Sequence, residues 1–282
     1  MSFPREEAER EAFLKLVRRL NAADGALPGF FVDGAPLGVA RAPGRLDVMG
    51  GIADYSGSLV LELPIAEAAF AAAQLVPEPI IRVASVDPEN RNPARIVSFE
   101  REAWLGGGYE GARRLLAGAE QWPGYVAGPL VPLVRELGAR LTGGVRVLLV
   151  STVPEGKGVS SSAAVEVASL FALARAANVD LSPEQAALAC QKVENLVADA
   201  PCGVMDQLTS ACGRSGHLLE ILCQPATLCG HPRVPPGLAF FGIDSGVRHA
   251  VSGADYREVR IAAFMGYRMI AALLGFASEP SP

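Results

Sequence analysis

Residues 154–164 place two glycines, a lysine and three consecutive serines in one short stretch. An apolar run over 145–153 precedes the stretch and an alanine-rich pattern over 161–177 follows it, so the order predicts strand, turn and helix. The first N–H groups of a helix carry partial positive charge, and glycine lets a phosphate approach the backbone. Ser160, Ser161 and Ser162 could cap the helix, donate to phosphate oxygens or bind Mg²⁺. The stretch therefore predicts a phosphate site, with a capped helix after a tight turn as the alternative.

The stretch differs from the Walker phosphate loop. That pattern requires a glycine five residues before Gly156 and a hydroxyl side chain directly after Lys157. This sequence has Ser151 and Gly158 at those positions. A nucleotide site here would therefore use another class of phosphate loop.

A second segment with chemical potential covers residues 42–57. It places Arg45, Asp47, Asp54 and Tyr55 among small and turn-forming residues, directly after a predicted strand. A loop that carries a cation and carboxylates is a usual way to bind a polar ligand. A solvated turn is the alternative interpretation.

A third segment, residues 201–207, contains one carboxylate among apolar neighbours. An acid in that setting, here Asp206, is typical of a semi-buried functional group. Asp is also a good helix N-cap, and that structural role is the alternative.

A fourth segment, residues 243–257, carries Asp244, Arg248, Asp255 and Tyr256. From spacing alone it is compatible with a β-turn that leads into a helix. Its chemical role therefore depends on where the fold places it.

Composition limits the classes of partner. The chain has 282 residues, 50% of them hydrophobic, and a net charge of −5, which argues against general nucleic-acid binding. The most apolar helical stretch, 159–179, contains Glu166 and Arg175, so it predicts a buried helix rather than a membrane span. We expect neither a nucleic acid nor a membrane as partner.

The cysteines indicate the compartment. They are five in number and widely spaced, at Cys190, Cys202, Cys212, Cys223 and Cys229. Residues 2–10 are rich in charge and contain no apolar signal-peptide region. These features predict reduced thiols and a cytoplasmic protein. Cys229 and His231 form the nearest approach to a metal pair, but without a second close pair we expect no zinc site.

Hydrophobic periodicity predicts an α+β chain without internal repeats or a long linker. Helices are predicted over 5–20, 129–141, 161–177, 182–199 and 254–274. Strands are predicted over 37–41, 59–73, 80–86, 94–99, 145–153, 216–222 and 238–243. We expect Pro64 to interrupt the 59–73 region, which would continue as a second strand or a short helix.

The four segments, in this order, resemble the motifs of the GHMP kinases, a family that includes galactokinase, homoserine kinase and mevalonate kinase. Residues 154–164 are similar to the family's phosphate loop and residues 42–57 to its galactokinase-type sugar loop. Residues 201–207 and 243–257 are similar to two later motifs, and the resemblance spans about 38–274. It implies a two-domain GHMP-kinase fold: an N-terminal ribosomal-S5-domain-2-like domain over 1–212 and a partial C-terminal ferredoxin-like domain over 213–282.

The resemblance implies an ATP- and Mg²⁺-dependent kinase acting on the anomeric hydroxyl of a sugar. Asp206 would accept the proton of that hydroxyl, while Arg45 would keep Asp206 ionised and stabilise the phosphoryl group. Its implied sugar-binding residues are Asp54, Gly51, Ile52, Gly203 and Tyr256. Its implied phosphate-binding residues are Pro154, Gly156, Gly158, Ser160, Ser161, Ser162 and Ala163. The implied Mg²⁺ ligands are Ser162 and Glu194, and Arg248 is a further candidate near the phosphates.

One departure from the galactokinase pattern bears on the choice of sugar. Galactokinases have Glu-His where this chain has Gly51 and Ile52, and that pair reaches the hydroxymethyl group of galactose. L-arabinopyranose has the galactose ring without that group. Asp47 also replaces the usual Asn, and the whole loop resembles the L-arabinokinases more than the galactokinases. We therefore expect L-arabinose as the substrate, with galactose as the alternative.

A second departure concerns the end of the chain. The family's late glycine-rich motif does not occur before Pro282. We therefore expect the second domain to be incomplete, and a non-catalytic sugar- or nucleotide-binding relative remains an alternative function.

Overall fold

The computed structural model describes residues 4–88, 92–247 and 254–276, with side chains described from residue 7 and, in the last range, from residue 258. The strands are β1 Gly38–Met49, β2 Leu59–Val76, β3 Ile80–Ser85, β4 Arg95–Glu100, β5 Gly144–Ser151, β6 Leu219–Leu222 and β7 Thr227–Gly230. The helices are α1 Pro4–Asn21, α2 Arg101–Gly106, α3 Gly108–Leu115, α4 Trp122–Ala127, α5 Leu130–Arg135, α6 Ser161–Ala176, α7 Pro183–Leu196, α8 Met205–Cys212 and α9 Ala254–Leu273. A 3₁₀ turn, Gly51–Asp54, follows β1.

The strands form one seven-stranded sheet around the long strand β2. Its order is β4-β3-β5-β2-β6-β7, and β1 also pairs with β2. The β3–β5 pair is parallel, whereas the other pairs are antiparallel. Strand β2 pairs with β5 through residues 69–76 and with β6 through residues 59–62, so it joins both parts of the sheet.

Alternation along β2 assigns its alanines to two different cores. Ala71 and Ala73 belong to a core shared with α6, whereas Ala72 packs with Phe13 and Val17 of α1. Successive side chains of a strand point to opposite faces, so the two helices cover opposite faces of the sheet. Each large side chain buried there contributes roughly 1.5–3 kcal/mol to stability.

Small residues let α6 lie unusually close to the sheet. A Cβ on Gly38 of β1 would collide with the backbone oxygen of Ala172 in α6. Because α6 begins at the predicted phosphate stretch, this close packing fixes where that stretch sits relative to β1.

The predicted α+β class is confirmed. The helices predicted over 5–20, 161–177 and 182–199 are also confirmed, as α1, α6 and α7, with shifted ends. The expected break at Pro64 is wrong, because β2 runs through it. Pro64 pairs with Arg45 next to a register shift between Pro43 and Arg45. A proline, which has no N–H to donate, is tolerated at such an irregular point of the ladder.

Two further elements differ from prediction. The predicted strand over 238–243 is absent, since those residues are irregular and exposed. The predicted helix over 129–141 is shorter, ending at Arg135. Both were inferred from apolar runs, and such runs do not reveal whether a strand partner or a packing surface exists.

The predicted domain boundary between 212 and 213 remains a prediction. Strands β6 and β7 lie after that position, yet they extend the same sheet. Among the described residues, no helix combines the length and apolar character needed to cross a membrane.

Candidate active site

The four sequence segments line a single cavity of about 860 Å³. The predicted site residues on its wall are Arg45, Gly51, Ile52, Asp54, Gly156, Gly158, Ser160, Ser161, Ser162, Glu194, Gly203 and Asp206. Pro154 and Ala163 are not on the wall, and Ala163 is fully buried within α6. The side chain of Tyr256 and all of Arg248 lie outside the described residues.

Arg45 and Asp206 form an ion pair at the centre of the site. Nε and Nη2 of Arg45 both donate to Oδ1 of Asp206, at 2.9 and 2.6 Å. Nη1 donates to the backbone oxygen of Gly158 at 2.8 Å, which ties β1 to the phosphate stretch. Burial disfavours the charge of Arg45, but the neighbouring Asp206 carboxylate opposes this effect, and the pKa of Arg45 is raised. The guanidinium therefore stays protonated.

Asp206 lies in the first turn of α8, whose N-cap position is Val204. The alternative prediction, that Asp206 is the N-cap residue of a helix, is therefore wrong. A carboxylate in the first turn is favoured by the partial positive charge of the helix end. Its position leaves the side chain 25% exposed towards the cavity.

The phosphate stretch contains a buried hydroxyl without a partner, on a residue of the cavity wall. Gly156 and Gly158 have φ values of 68° and 69°, in the left-handed region that glycine adopts readily. Ser160 shares this conformation with a φ of 57°, occupies the N-cap position of α6 and is buried. Its Oγ has no hydrogen-bond partner among the described residues. A buried polar atom left open at a helix N-terminus fits a phosphate oxygen.

Glu194 and Ser162 bring two oxygen donors together on the cavity wall. Gln207 donates to Glu194 through Nε2 at 2.5 Å. Burial raises the pKa of Glu194 to about 7, although a hydrogen bond with the Ser162 hydroxyl lowers it in part. Oxygen ligands of this kind suit Mg²⁺. Within the described ranges no three His, Cys, Asp or Glu side chains cluster as a metal site, so other Mg²⁺ ligands would come from phosphate or water.

Asp54 links the 3₁₀ turn to the start of α8. The backbone N–H of Val204 donates to its Oδ1 at 3.2 Å. Burial raises the pKa of Asp54, while hydrogen bonds from the Cys223 thiol and the backbone oppose that shift. A Cβ on Gly203 would collide with the Asp54 carboxylate, so a glycine is required there. Asp54 therefore positions α8 as well as lining the cavity.

The Gly51–Ile52 pair occupies a turn held by Asp47. The N–H of Gly51 donates to Oδ2 of Asp47 at 2.5 Å, and Gly51 has a φ of 57°. Ile52 is 46% exposed, with its apolar side chain on the cavity wall. This part of the cavity presents alkyl surface rather than a polar pair.

Several wall residues were not predicted from the sequence. Arg95, Trp122 and Tyr125 form an aromatic and cationic wall, in which the Arg95 guanidinium lies 4.7 Å from the Trp122 ring centre. Trp122 and Tyr125 lie in a Gly- and Pro-rich region without periodicity, so only their aromatic type could have suggested a role.

A second contact that was not predicted joins Lys157 to Asp244 at 2.7 Å, and it holds residues 243–247 against the phosphate stretch.

Comparison with known proteins matches part of the chain that lines this cavity to a family. A model of the GHMP kinases N terminal domain matches residues 125–214. The chain contains a GHMP kinase N-terminal domain. The sequence-based resemblance is thus confirmed.

The relatives of this GHMP kinase domain are sugar kinases by name. The chain is 44% identical over 302 aligned positions to L-arabinokinase of Arabidopsis thaliana, covering 98% of this chain and 29% of that protein. It is 32% identical over 244 positions to galactokinase of Chloroflexus aurantiacus, covering 85% of this chain and 57% of that protein. The chain thus spans less than two thirds of either relative.

Solved structures share the fold. Lactococcus lactis galactokinase complexed with galactose matches with a TM-score of 0.73 at 18% identity, covering 96% of this chain and 63% of that one. Methanococcus jannaschii mevalonate kinase matches with a TM-score of 0.52 at 14% identity, covering 72% and 57%. These likenesses establish the GHMP-kinase fold.

Proposed function

We propose that this GHMP kinase domain transfers the γ-phosphate of ATP to the anomeric hydroxyl of a monosaccharide, with L-arabinose as the preferred sugar. The observation that carries the proposal is the Arg45–Asp206 ion pair, which adjoins an open phosphate stretch in one cavity. A carboxylate for the hydroxyl proton and donors for the phosphate are the two components that phosphoryl transfer needs.

In the proposed reaction, the anomeric oxygen attacks the γ-phosphorus of ATP, the bond to the β,γ-bridging oxygen breaks and ADP leaves, while Asp206 accepts the proton of the hydroxyl. Arg45 holds the Asp206 carboxylate through two hydrogen bonds and stabilises negative charge on the phosphoryl group. The N–H groups of the phosphate stretch and the Ser160 hydroxyl hold the triphosphate oxygens. Ser162 and Glu194 would hold Mg²⁺, which supplies neutralising charge to those oxygens.

The aromatic and cationic wall extends the proposal to the nucleotide. Trp122 and Tyr125 offer ring faces, and Arg95 stacks on Trp122. Such surfaces are suited to a planar base. We assign this wall to the adenine of ATP.

The preference for L-arabinose rests on the turn at Gly51 and Ile52. A pentose has no hydroxymethyl group, so polar side chains placed there for galactose would be left unpaired at a cost of about 1–3 kcal/mol each. Ile52 fills this region with an alkyl group instead. The Arabidopsis relative named L-arabinokinase, at 44% identity, supports the same choice. Discrimination by shape is limited to roughly 10–200-fold, so slow use of galactose is expected.

The proposal includes a cytoplasmic location. All five cysteines of the chain are free thiols, and none is paired in a disulfide. Reduced thiols are typical of proteins in a reducing compartment. We therefore propose that the chain meets its small sugar partner in the cytoplasm.

The decisive experiment is a phosphorus NMR assay of the chain with ATP, Mg²⁺ and either L-arabinose or D-galactose. We expect a sugar 1-phosphate mainly from L-arabinose. Product mainly from galactose would overturn the choice of sugar. No product from either sugar, combined with calorimetric sugar binding, would replace catalysis by a binding function.

The sugar preference has its own test. The double substitution Gly51→Glu with Ile52→His restores the polar pair of galactokinases, with Ile52→Leu as the matched control. We expect the kcat/KM ratio of galactose to arabinose to rise at least about tenfold. An unchanged ratio would show that this turn does not choose the sugar.

A further inference from the structure

A second carboxyl group lies behind the ion pair, outside the cavity. Glu62 on β2 is fully buried, with 0% of its surface exposed. Neither of its carboxyl oxygens has a hydrogen-bond partner among the described residues. Its Oε2 nevertheless lies 3.1 Å from Nε of Arg45. The catalytic proposal gives this group no role.

The hydrogen bonds that Arg45 makes in the described structure go to partners other than Glu62. Nε and Nη2 donate to Asp206, and Nη1 donates to Gly158. An ionised Glu62 would therefore be a buried charge without a hydrogen-bond donor, which costs several kcal/mol. It would also compete with Asp206 for the single guanidinium charge.

The surroundings of Glu62 add negative charge. Asp47 is its cross-strand partner in the β1–β2 register, and both carboxyl groups flank Gly50. Asp206 on α8 and Asp54 in the 3₁₀ turn act on it from further elements. On β6 its register partner is the apolar Leu219. Arg45 is the cation that acts most strongly on Glu62 in the described structure.

We propose that Glu62 is a neutral positioning residue, whose carboxylic acid supports Arg45 from behind and leaves the arginine charge to Asp206 and the phosphates. Its effect on turnover rests on the proposed function, whereas its neutral state does not. Burial is the main cause that raises the pKa of Glu62 to about 9; Arg45 lowers it in part, and the neighbouring carboxylates raise it further. Glu62 therefore ionises only in alkaline solution.

A neutral Glu62 has a measurable thermodynamic consequence. The same carboxyl group ionises near its ordinary pKa of about 4.3 in the unfolded chain. Between that value and about pH 9, folding must bind a proton, so stability falls as pH rises. Below the ordinary pKa the group is protonated in both states and contributes no pH dependence.

The first test compares thermal unfolding midpoints from about pH 5 to about pH 9 for the unchanged chain, Glu62→Gln and Glu67→Gln. Glutamine keeps the size of a neutral Glu62, and Glu67 is an exposed residue of the same strand. We expect the midpoint of the unchanged chain to fall progressively below that of Glu62→Gln as pH rises, while Glu67→Gln follows the unchanged chain. Parallel curves for Glu62→Gln would overturn the neutral state.

Carbon-13 NMR of the unchanged chain keeps the test independent of any variant. The carboxyl resonance assigned to Glu62 should stay at its protonated position through neutral pH and move only near about pH 9. Movement near pH 4 to 5, the ordinary glutamate range of about pH 4.3, would refute the proposal.

Turnover tests the positioning role. We expect kcat of the unchanged chain to decline in alkaline solution with little change in the sugar KM, because Glu62 does not line the cavity. Glu62→Gln should retain kcat near neutral pH and extend the plateau, whereas Glu62→Ala should lose kcat. Identical pH profiles for Glu62→Gln and the unchanged chain would refute the role. If no variant phosphorylates either sugar, the proposed function fails, and the stability and NMR results still decide the state of Glu62.

Discussion

Asp206 and Arg45 are 161 positions apart in the sequence, yet their side chains approach to 2.6 Å. The contact depends on residues that hold each partner without touching the reacting atoms. Asp54 accepts a hydrogen bond at the start of α8, Gly203 leaves room for that carboxylate, and Glu62 lies behind the guanidinium. One reactive pair is therefore supported by two acids, Asp54 and Glu62, and by one glycine, Gly203.

Replacing Asp206 by Asn separates proton acceptance from sugar binding. The amide keeps the size of the side chain but cannot accept the anomeric proton, so turnover should fall by about 10²–10⁴-fold. Sugar affinity measured by calorimetry should change little. Asp24→Asn, in an exposed loop, is the control. Equal loss of turnover and sugar affinity would contradict the assignment of Asp206 as base.

Gly203→Ala should displace the Asp54 carboxylate, because its added methyl group occupies the same space. We expect a loss of about 1–3 kcal/mol of stability in urea unfolding, together with weaker sugar binding. Gly266→Ala in α9 is the matched control, since nothing lies within 4 Å of its added Cβ. That control should gain up to about 1 kcal/mol from helix propensity. Similar effects at both glycines would argue against the close packing of Asp54 on Gly203.

At the scale of elements, irregularities in regular structure place the reactive groups. Strand β1 changes register next to Arg45, and such bulges re-aim side chains. The N-cap residue of helix α6, Ser160, is left-handed, and the first turn of the helix lines the cavity. Helix α7 carries Glu194 to the same wall, and a capping box defines where that helix begins. The starts of the helices and the irregular point of β1 thus bring the reactive groups together at one site.

The capping box of α7 provides a test at this scale. The Ser182 hydroxyl accepts from the N–H of Gln185 at 3.2 Å, and the Gln185 side chain accepts from the N–H of Ser182 at 3.0 Å. Ser182→Ala should cost about 1 kcal/mol in urea unfolding, because a helix N–H loses its partner. The exposed Thr142→Ala should change stability by less than about 0.5 kcal/mol. A Ser182→Ala effect no larger than that control would exclude a stabilising cap.

At the scale of the molecule, the well-packed sheet contrasts with the exposed later segments. Helices cover both faces of the sheet, but Phe241 and Ile243 are 86% and 93% exposed. Apolar residues of the closing helix and its end are exposed as well, with Leu273 at 85% and Phe276 at 68%. Exposed apolar surface of this kind favours self-association.

Substituting Phe241→Ser together with Ile243→Ser should therefore reduce association without reducing stability. We expect weaker concentration-dependent light scattering and a change in unfolding free energy within about 0.5 kcal/mol. Val32→Ser, which is 49% exposed on another part of the surface, serves as the control and should leave scattering unchanged. A large loss of stability in the double variant would show that these side chains are packed in the folded protein.

Much of the fold was predictable, because local patterns decide local structure. The helix starts at Ser161 and Pro183 followed from serines and apolar periodicity, although only Ser182 makes a cap hydrogen bond in these two helices. Strands β3, β4 and β5 followed from apolar runs. Pro64 was misjudged because its effect depends on the partner strand, whose register shifts between Pro43 and Arg45. Residues 238–243 were misjudged because an apolar run forms a strand only where another strand accepts it.

The sequence by itself determined the chemical groups of the candidate site and the family that uses them. Glycines, serines and carboxylates in ordered motifs predicted a resemblance to the GHMP kinases, and the match of the GHMP kinases N terminal domain to residues 125–214 confirms that resemblance. The family resemblance implied that Arg45 lies beside Asp206, but only the tertiary structure bound Asp54 to the start of α8 and buried Glu62 without a donor. Such features arise from contacts between distant parts of the chain, where burial and neighbouring charges set the protonation of each acid. A local pattern carries no information about which distant charge will lie beside it.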